Sequence, residues 1–246
     1  MKTSYSRIAS GLLLCLAWLT ATRAADSPPS VDSIIDKFIE ASGGRSALEK
    51  LTSRTIKGDL DLMGSTSEWV SYAKAPNKQL SEFNNPAFGS IADGFDGTVA
   101  WLKNQAEVRV KEGEELAKTK RDADFYRLLN LKKLYPSLAY KGTETVDGQE
   151  VHVLESKLSP SSKERFSFST KSNLLIRLES EFEGPGGKIG ITARFADYRS
   201  VDGTQHAHNM KFKVDAGGQE FEFTIRVKEI KHNVAIEDAK FVKPTS

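Results

Sequence analysis

The 246-residue sequence predicts a mainly β (α+β) fold, a curved antiparallel sheet with two helical segments covering its open side. Three observations predict it. Apolar and polar residues alternate along several runs, as in strands with one buried and one wet face. Glycine-containing turn dipeptides separate those runs at hairpin spacing. The apolar period changes to that of a helix near residue 31 and again near residue 114.

The chain opens with Lys2 and Arg7, an apolar run from Ile8 to Leu19, and small residues at Thr22 and Ala24. That order is a secretory signal peptide spanning 1–24, with processing expected after Ala24 and delivery to the periplasm. The run is shorter than the ~20 residues a spanning helix needs, so no membrane span is expected after processing. Cys15, the sole cysteine, follows Leu14 rather than a small residue, which argues against lipidation. Beyond residue 24 the chain is cysteine-free, which excludes disulfides and thiolate metal sites. Residues 25–30, with Pro28-Pro29-Ser30, read as a linker, and 31–246 as a single domain.

Ser30 is placed to cap a helix, with Asp32 in its first turn near the positive end of the dipole. Val31, Ile34, Ile35, Phe38 and Ile39 form its apolar stripe, Gly43-Gly44 stops it, and Ser46 to Leu51 add a brief helical turn. Such a stripe is too apolar to leave in water, so this helix is expected to lie on the sheet as a lid. After Thr52 the period becomes two: Ile56, Leu60 and Leu62 alternate with Lys57, Asp59 and Asp61. The second helical segment is expected from Glu114 to about Leu134, with Leu116, Ala123, Phe125, Leu128 and Leu129 apolar and Pro136 closing it. Four further strands follow. Their alternating residues are Ile176, Leu178 and Phe182; Ile189, Ile191, Ala193 and Phe195; Met210, Phe212 and Val214; and Phe221, Phe223, Ile225 and Val227. Asp96-Gly97, Asp147-Gly148, Gly186-Gly187, Asp202-Gly203 and Gly217-Gly218 tolerate positive φ, so neighbouring strands are expected to pair in chain order as a meander.

Several function classes are excluded or left empty. The net charge is +2, and residues 1–24 hold Lys2, Arg7 and Arg23 with no acid, which leaves the remainder at −1. A near-neutral surface has no field to draw phosphates, so no nucleic-acid partner is expected. His206 and His208 share a strand face, but no third ligand stands at metal-site spacing, so no metal is assigned. Glu179, Glu181 and Glu183 alternate as a solvated face does, and Gly184-Pro185-Gly186-Gly187 reads as a hairpin tip with no helix start behind it. No catalytic residue, no cofactor and no enzymatic activity is assigned. Phe166, Phe168, Phe182, Phe195, Phe212, Phe221 and Phe223 fall on strand faces that should point inward. They either fill an ordinary core or line a cavity for an apolar ligand.

The runs Trp69 to Asn77 (WVSYAKAPN) and Phe95 to Leu102 (FDGTVAWL) resemble the lipoprotein carriers of the LolA/LolB family. Phe38 to Leu51, Arg121 to Pro136 and Ala235 to Pro244 are similar to exported lipoprotein-sorting-like proteins of the same kind. The resemblance implies an incomplete antiparallel barrel, a half-barrel whose concave apolar side holds acyl chains beneath a helical lid. It implies an apolar ligand, an acyl chain or a lipoprotein. Cavity candidates on that basis are Leu60, Leu62, Trp69, Phe182, Ile189, Ile191, Phe195, Met210, Phe212, Phe221, Phe223 and Ile225. The rival reading is an interaction module with a filled core that docks onto an envelope protein partner. One departure stands out: the carriers place an arginine, which latches the lid, directly before the Pro-Asn of the second strand, and here that position is Ala75.

Overall fold

The computed structural model describes residues 28–86 and 89–245. The signal peptide expected at 1–24 lies outside the described residues. The chain begins with α1 (Val31–Ala41) and α2 (Arg45–Glu49). Ser30 caps α1 by accepting the Ser33 backbone N–H at 3.1 Å. Six strands follow, β1 (Ser53–Leu62), β2 (Ser65–Lys74), β3 (Lys78–Asn85), β4 (Gly89–Phe95), β5 (Ala100–Lys103) and β6 (Val108–Val110). A helical insertion, α3 (Gly113–Asp122) and α4 (Leu131–Leu134), separates them from the second group. That group is β7 (Ala139–Val146), β8 (Gln149–Lys157), β9 (Lys163–Ser169), β10 (Leu175–Gly184), β11 (Gly187–Val201), β12 (Thr204–Ala216) and β13 (Gln219–His232).

The thirteen strands of the described residues form one antiparallel sheet in the order β6-β5-β4-β3-β2-β1-β13-β12-β11-β10-β9-β8-β7. The path explains the order. The chain starts at the middle of the sheet, runs out to β6, crosses by the insertion to β7, and returns strand by strand to place β13 beside β1. The sheet is open between β6 and β7, which makes it a curved half-barrel rather than a closed barrel. Hairpins hold because their turns accept positive φ: Asp202 and Gly203 stand at 49° and 80°, Gly217 and Gly218 at 62° and 83°. Met63-Gly64, which no turn rule flags, joins β1 to β2 with φ of 50° and 79°.

Register settles which side chains share a face. Leu62 lies opposite Phe223, Phe223 opposite Phe212, and Phe212 opposite Ala193, so these residues line one concave surface. A bulge between Lys57 and Gly58 keeps β1 and β13 in step. A side chain at Gly58 would put its Cβ 2.3 Å from the Arg226 carbonyl oxygen, so glycine permits that approach. A second bulge, between Leu175 and Arg177, corrects the expected alternation in β10. Ile176 leaves the side of Leu178 and Phe182 and packs with Val146, Val151 and Val153, while Leu175 and Leu178 stay on the concave cluster.

The α1 stripe is placed as its pattern requires. Ile34, Ile35, Phe38 and Ile39 are buried against Leu154, Phe166 and Phe168 of β8 and β9, with Leu131 and Tyr135 from the insertion, and Val31 is partly buried at the margin. Phe38 and Phe168 have ring centroids 4.9 Å apart.

The second helical segment is not continuous from Glu114 to Leu134. It stops at Asp122, and residues 124–129 turn before α4. The cause is side-chain competition for main-chain donors. The Asp124 carboxylate accepts the Tyr126 N–H at 2.9 Å and the Asn130 amide at 3.0 Å, while the Phe125 N–H is taken by the Pro76 carbonyl at 2.9 Å.

Candidate functional site

Two cavities lie along the concave surface and share one apolar floor. The larger, about 860 Å³, is lined by Leu60, Leu62, Trp69, Phe83, Ile91, Phe212, Phe221, Phe223 and Ile225, with Met63, Ser81, Gln219 and Glu220 completing its wall. The smaller, about 330 Å³, lies beneath the insertion and is lined by residues that include Phe38, Leu51, Ile56, Phe125, Phe166, Phe195 and Met210. Leu60, Trp69, Phe212, Phe223 and Ile225 of the first cavity and Ile56, Met210 and Ile230 of the second belong to one contact cluster.

Alternation builds the larger cavity. Leu60 and Leu62 on β1, Met210 and Phe212 on β12, and Phe221, Phe223 and Ile225 on β13 all fall on one side because each lies two residues from the next. The Phe212 and Phe223 rings stack with centroids 4.7 Å apart, and Phe221 stacks on Phe223 at 6.5 Å. Trp69 is buried, and its indole N–H donates to Ser81 Oγ at 2.7 Å, so the ring presents only carbon to the cavity. Around the opening, Met63 is 75% and Phe221 40% exposed, which is unusual for large apolar side chains.

The placement of the sequence-selected residues is uneven. Leu60, Leu62, Trp69, Phe212, Phe221, Phe223 and Ile225 line the larger cavity, and Phe195 and Met210 the smaller. Phe182, Ile189 and Ile191 line neither. Phe182 is buried, with the Lys118 ammonium of α3 5.9 Å from its ring centre, and Ile189 and Ile191 are half-buried. Of the α1 stripe, Phe38 alone reaches a cavity, the smaller one. The helix thus covers β8 and β9 and leaves the larger cavity open.

Phe83 and Ile91 were missed because β3 and β4 do not alternate cleanly. Leu80 and Phe83 are three apart, so they face opposite sides, Leu80 packing with Trp101 and Phe241 and Phe83 with the concave cluster. A strand apolar on both faces erases its own period. Arg54 was missed as well, although the alternation through Ile56 and Gly58 to Leu60 places it on the concave side.

The insertion is tied down by buried charge. Glu164 on β9, 1% exposed, accepts from Arg127 at 2.8 Å, from Tyr135 Oη at 2.9 Å and from Arg121 at 3.2 Å. Arg127 also pairs with Asp122 at 2.7 Å, and Lys118 bonds the same carboxylate. Burial pushes the Asp122 carboxyl up, but the Lys118 and Arg127 charges outweigh it and hold it below the ordinary range. Ala75, where the carriers place their latch arginine, contributes no side-chain bond; the adjoining Pro76 carbonyl instead accepts the Phe125 N–H.

His206 and His208 are not paired on a metal site. His206 Nε2 lies 2.8 Å from Thr204 Oγ1 and its ring is 4.9 Å from that of His232, while His208 Nδ1 meets the His206 carbonyl. Among the described residues no group of three histidine, cysteine or acidic side chains is gathered as a metal site would be.

No family model matches the chain. No curated protein matches it. Solved structures do. A DUF1329 family protein from Desulfovibrio piger superposes with a TM-score of 0.52 at 15% identity, covering 87% of this chain and 98% of that one. A Vibrio parahaemolyticus domain described as an outer-membrane lipoprotein-sorting protein gives 0.51 at 14% identity, over 84% and 97% of the two chains. A LolA superfamily protein from Nitrosomonas europaea gives 0.53 at 12% identity, over 88% and 99%. At such identities the likeness is one of fold: this chain shares the open antiparallel half-barrel of those structures.

Proposed function

We propose that this is a non-enzymatic binding protein of the periplasm that holds an acyl chain of a lipid or lipoprotein in its half-barrel, in the handling of envelope lipids or the sorting of outer-membrane lipoproteins. The observation that carries the reading is the larger cavity, about 860 Å³ of apolar concavity opening beside the exposed Met63 and Phe221. That volume lies within the range of ligand pockets, roughly 300–1,000 Å³. Its aromatic lining asks no hydrogen bond of an occupant. An acyl chain of ~14 methylenes transferred from water gains on the order of 10 kcal/mol at ~0.8 kcal/mol each, before ordering costs. Apolar area alone therefore suffices for binding.

The protein, purified after export and extracted with organic solvent, should yield lipid by mass spectrometry. The stripped protein should bind a fluorescent fatty-acid probe saturably at micromolar concentration. An extract free of lipid together with no probe binding would overturn the reading.

A further inference from the structure

The smaller cavity holds a charge without a partner. Arg54 lines it from β1, where it lies opposite Ala73 of β2 and His232 of β13. Its guanidinium makes no ion pair and no hydrogen bond within the described residues, and it stands 5.9 Å from the centre of the Phe125 ring. The other charged groups lining the cavity are engaged. Asp122 is paired with Lys118 and Arg127, Arg127 is shared with Glu164, and Asp124 accepts from the Tyr126 N–H and the Asn130 amide. Burial lowers the Arg54 pKa, and no carboxylate offsets it. Arg54 is half-buried and keeps its proton, so the cavity wall presents a cation with no acidic partner. His206, on the same wall, supplies no negative charge, and burial together with the Arg54 charge holds its pKa down to about 3, so the ring is neutral.

From Arg54 an apolar floor leads to the larger cavity through the shared cluster of Ile56, Ile230, Met210 and Ile225. From Arg54 to Leu62 the strand covers roughly 26 Å at ~3.3 Å per residue. One leaflet of a bilayer, the reach of one acyl chain, is about 15 Å, half of the ~30 Å hydrocarbon core. A tail of that reach, laid on this floor from Arg54, runs toward the larger cavity, whose β1 lining begins at Leu60, roughly 20 Å along the strand.

We propose that Arg54 is the receptor for the anionic headgroup, a carboxylate or a phosphate, of an amphiphile whose tail lies along the floor between the two cavities. This rests on the acyl-binding reading above and adds the class of ligand. The guanidinium fork matches both oxyanions, and bonds to charged groups are about twice as strong as neutral ones.

The test is displacement of a neutral fluorescent lipid probe from the stripped protein by four compounds sharing one dodecyl tail. Laurate and dodecyl phosphate should displace it at about tenfold lower concentration than methyl laurate. Dodecyltrimethylammonium should do no better than the ester. Stronger binding of laurate assigns a free fatty acid, and stronger binding of dodecyl phosphate a phosphate-bearing lipid. Arg54→Met should bring both anions to parity with the ester and leave the ester unchanged, while Arg54→Lys should keep part of the preference. The melting temperature of ligand-free Arg54→Met should hold or rise, since the substitution removes an unpaired, half-buried charge. Equal displacement by laurate and its ester, an anion preference that survives in Arg54→Met, best binding of the cationic amphiphile, or a fall in melting temperature of several degrees would each overturn the proposal. If all four fail, the ester included, the acyl-binding reading itself falls.

Discussion

Phe223 and Phe166 are both inward phenylalanines, yet they are held differently. Phe166 is buried, with its ring edge-on to Tyr135 at 5.0 Å, whereas Phe223 is half-buried and borders empty space. Phe166→Ala should therefore cost ~3–5 kcal/mol in denaturant unfolding, as truncations of buried aromatics do. Phe223→Ala should cost under about 2 kcal/mol and weaken fatty-acid probe binding instead; a loss as large as that at Phe166 would mean a filled core. His206 carries a separate prediction. Its pKa falls from 6.5 to about 3 in the fold, through burial and the nearby Arg54, His232 and His208. Between those values the unfolded chain takes a proton that the folded chain refuses. The contribution of neutral His206 is therefore complete above pH 6.5 and shrinks as pH falls toward 3, by up to ~1.4 kcal/mol per pH unit. His206→Gln should flatten that part of the stability–pH curve, measured by urea unfolding at pH 7, 6 and 5.

The helices hold by two different means. α1 is an apolar clamp whose Ile35 is buried against β8, β9 and the insertion, so Ile35→Asp should lower the melting temperature by several degrees. An unchanged melting curve would mean that the helix is not seated on the sheet. The insertion is pinned by polar groups: Glu164 receives Arg121, Arg127 and Tyr135 in a nearly dry site. Glu164→Leu strands Arg127 without one of its two carboxylates and should cost ~3–5 kcal/mol. Hydrogen exchange should locate that loss first in α3 and α4. A charge cluster of this kind has no periodic signature, because its members come from positions 121, 127, 135 and 164.

The sheet joins its two halves at β1 and β13, which lie far apart in sequence and next to each other in space. Thr52 N–H donates to Asn233 Oδ1 at 2.8 Å across this seam, and the Asn233 N–H donates to the Ser53 carbonyl at 2.9 Å. Each seam strand is bonded on both sides, whereas β6, three residues long, is an edge. Amides of β1 and β13 should exchange slowest in the molecule and those of β6 fastest. Fast exchange at the seam would mean that the halves open independently. The insertion joins β6 to β7 across the open side of the sheet, while the larger cavity opens beside Met63 and Phe221.

Alternation in β1, β12 and β13, the turn dipeptides and the stripe of α1 could all be read from the residues because each is a local rule, set by a period of two, a positive φ or a period of 3.6. They place Leu60, Leu62, Phe212, Phe223 and Ile225 on one face with no knowledge of the partner strands. Three things could not be read that way. The bulge that turns Ile176 to the other face depends on how β9 and β10 register. The break after Asp122 depends on Pro76, a residue forty-nine positions before Phe125, supplying the carbonyl that takes the Phe125 N–H. The isolation of Arg54 depends on which acids the fold brings near and which of them other cations have already taken. Each is a matter of what lies across space rather than along the chain, and a one-dimensional period carries no record of that.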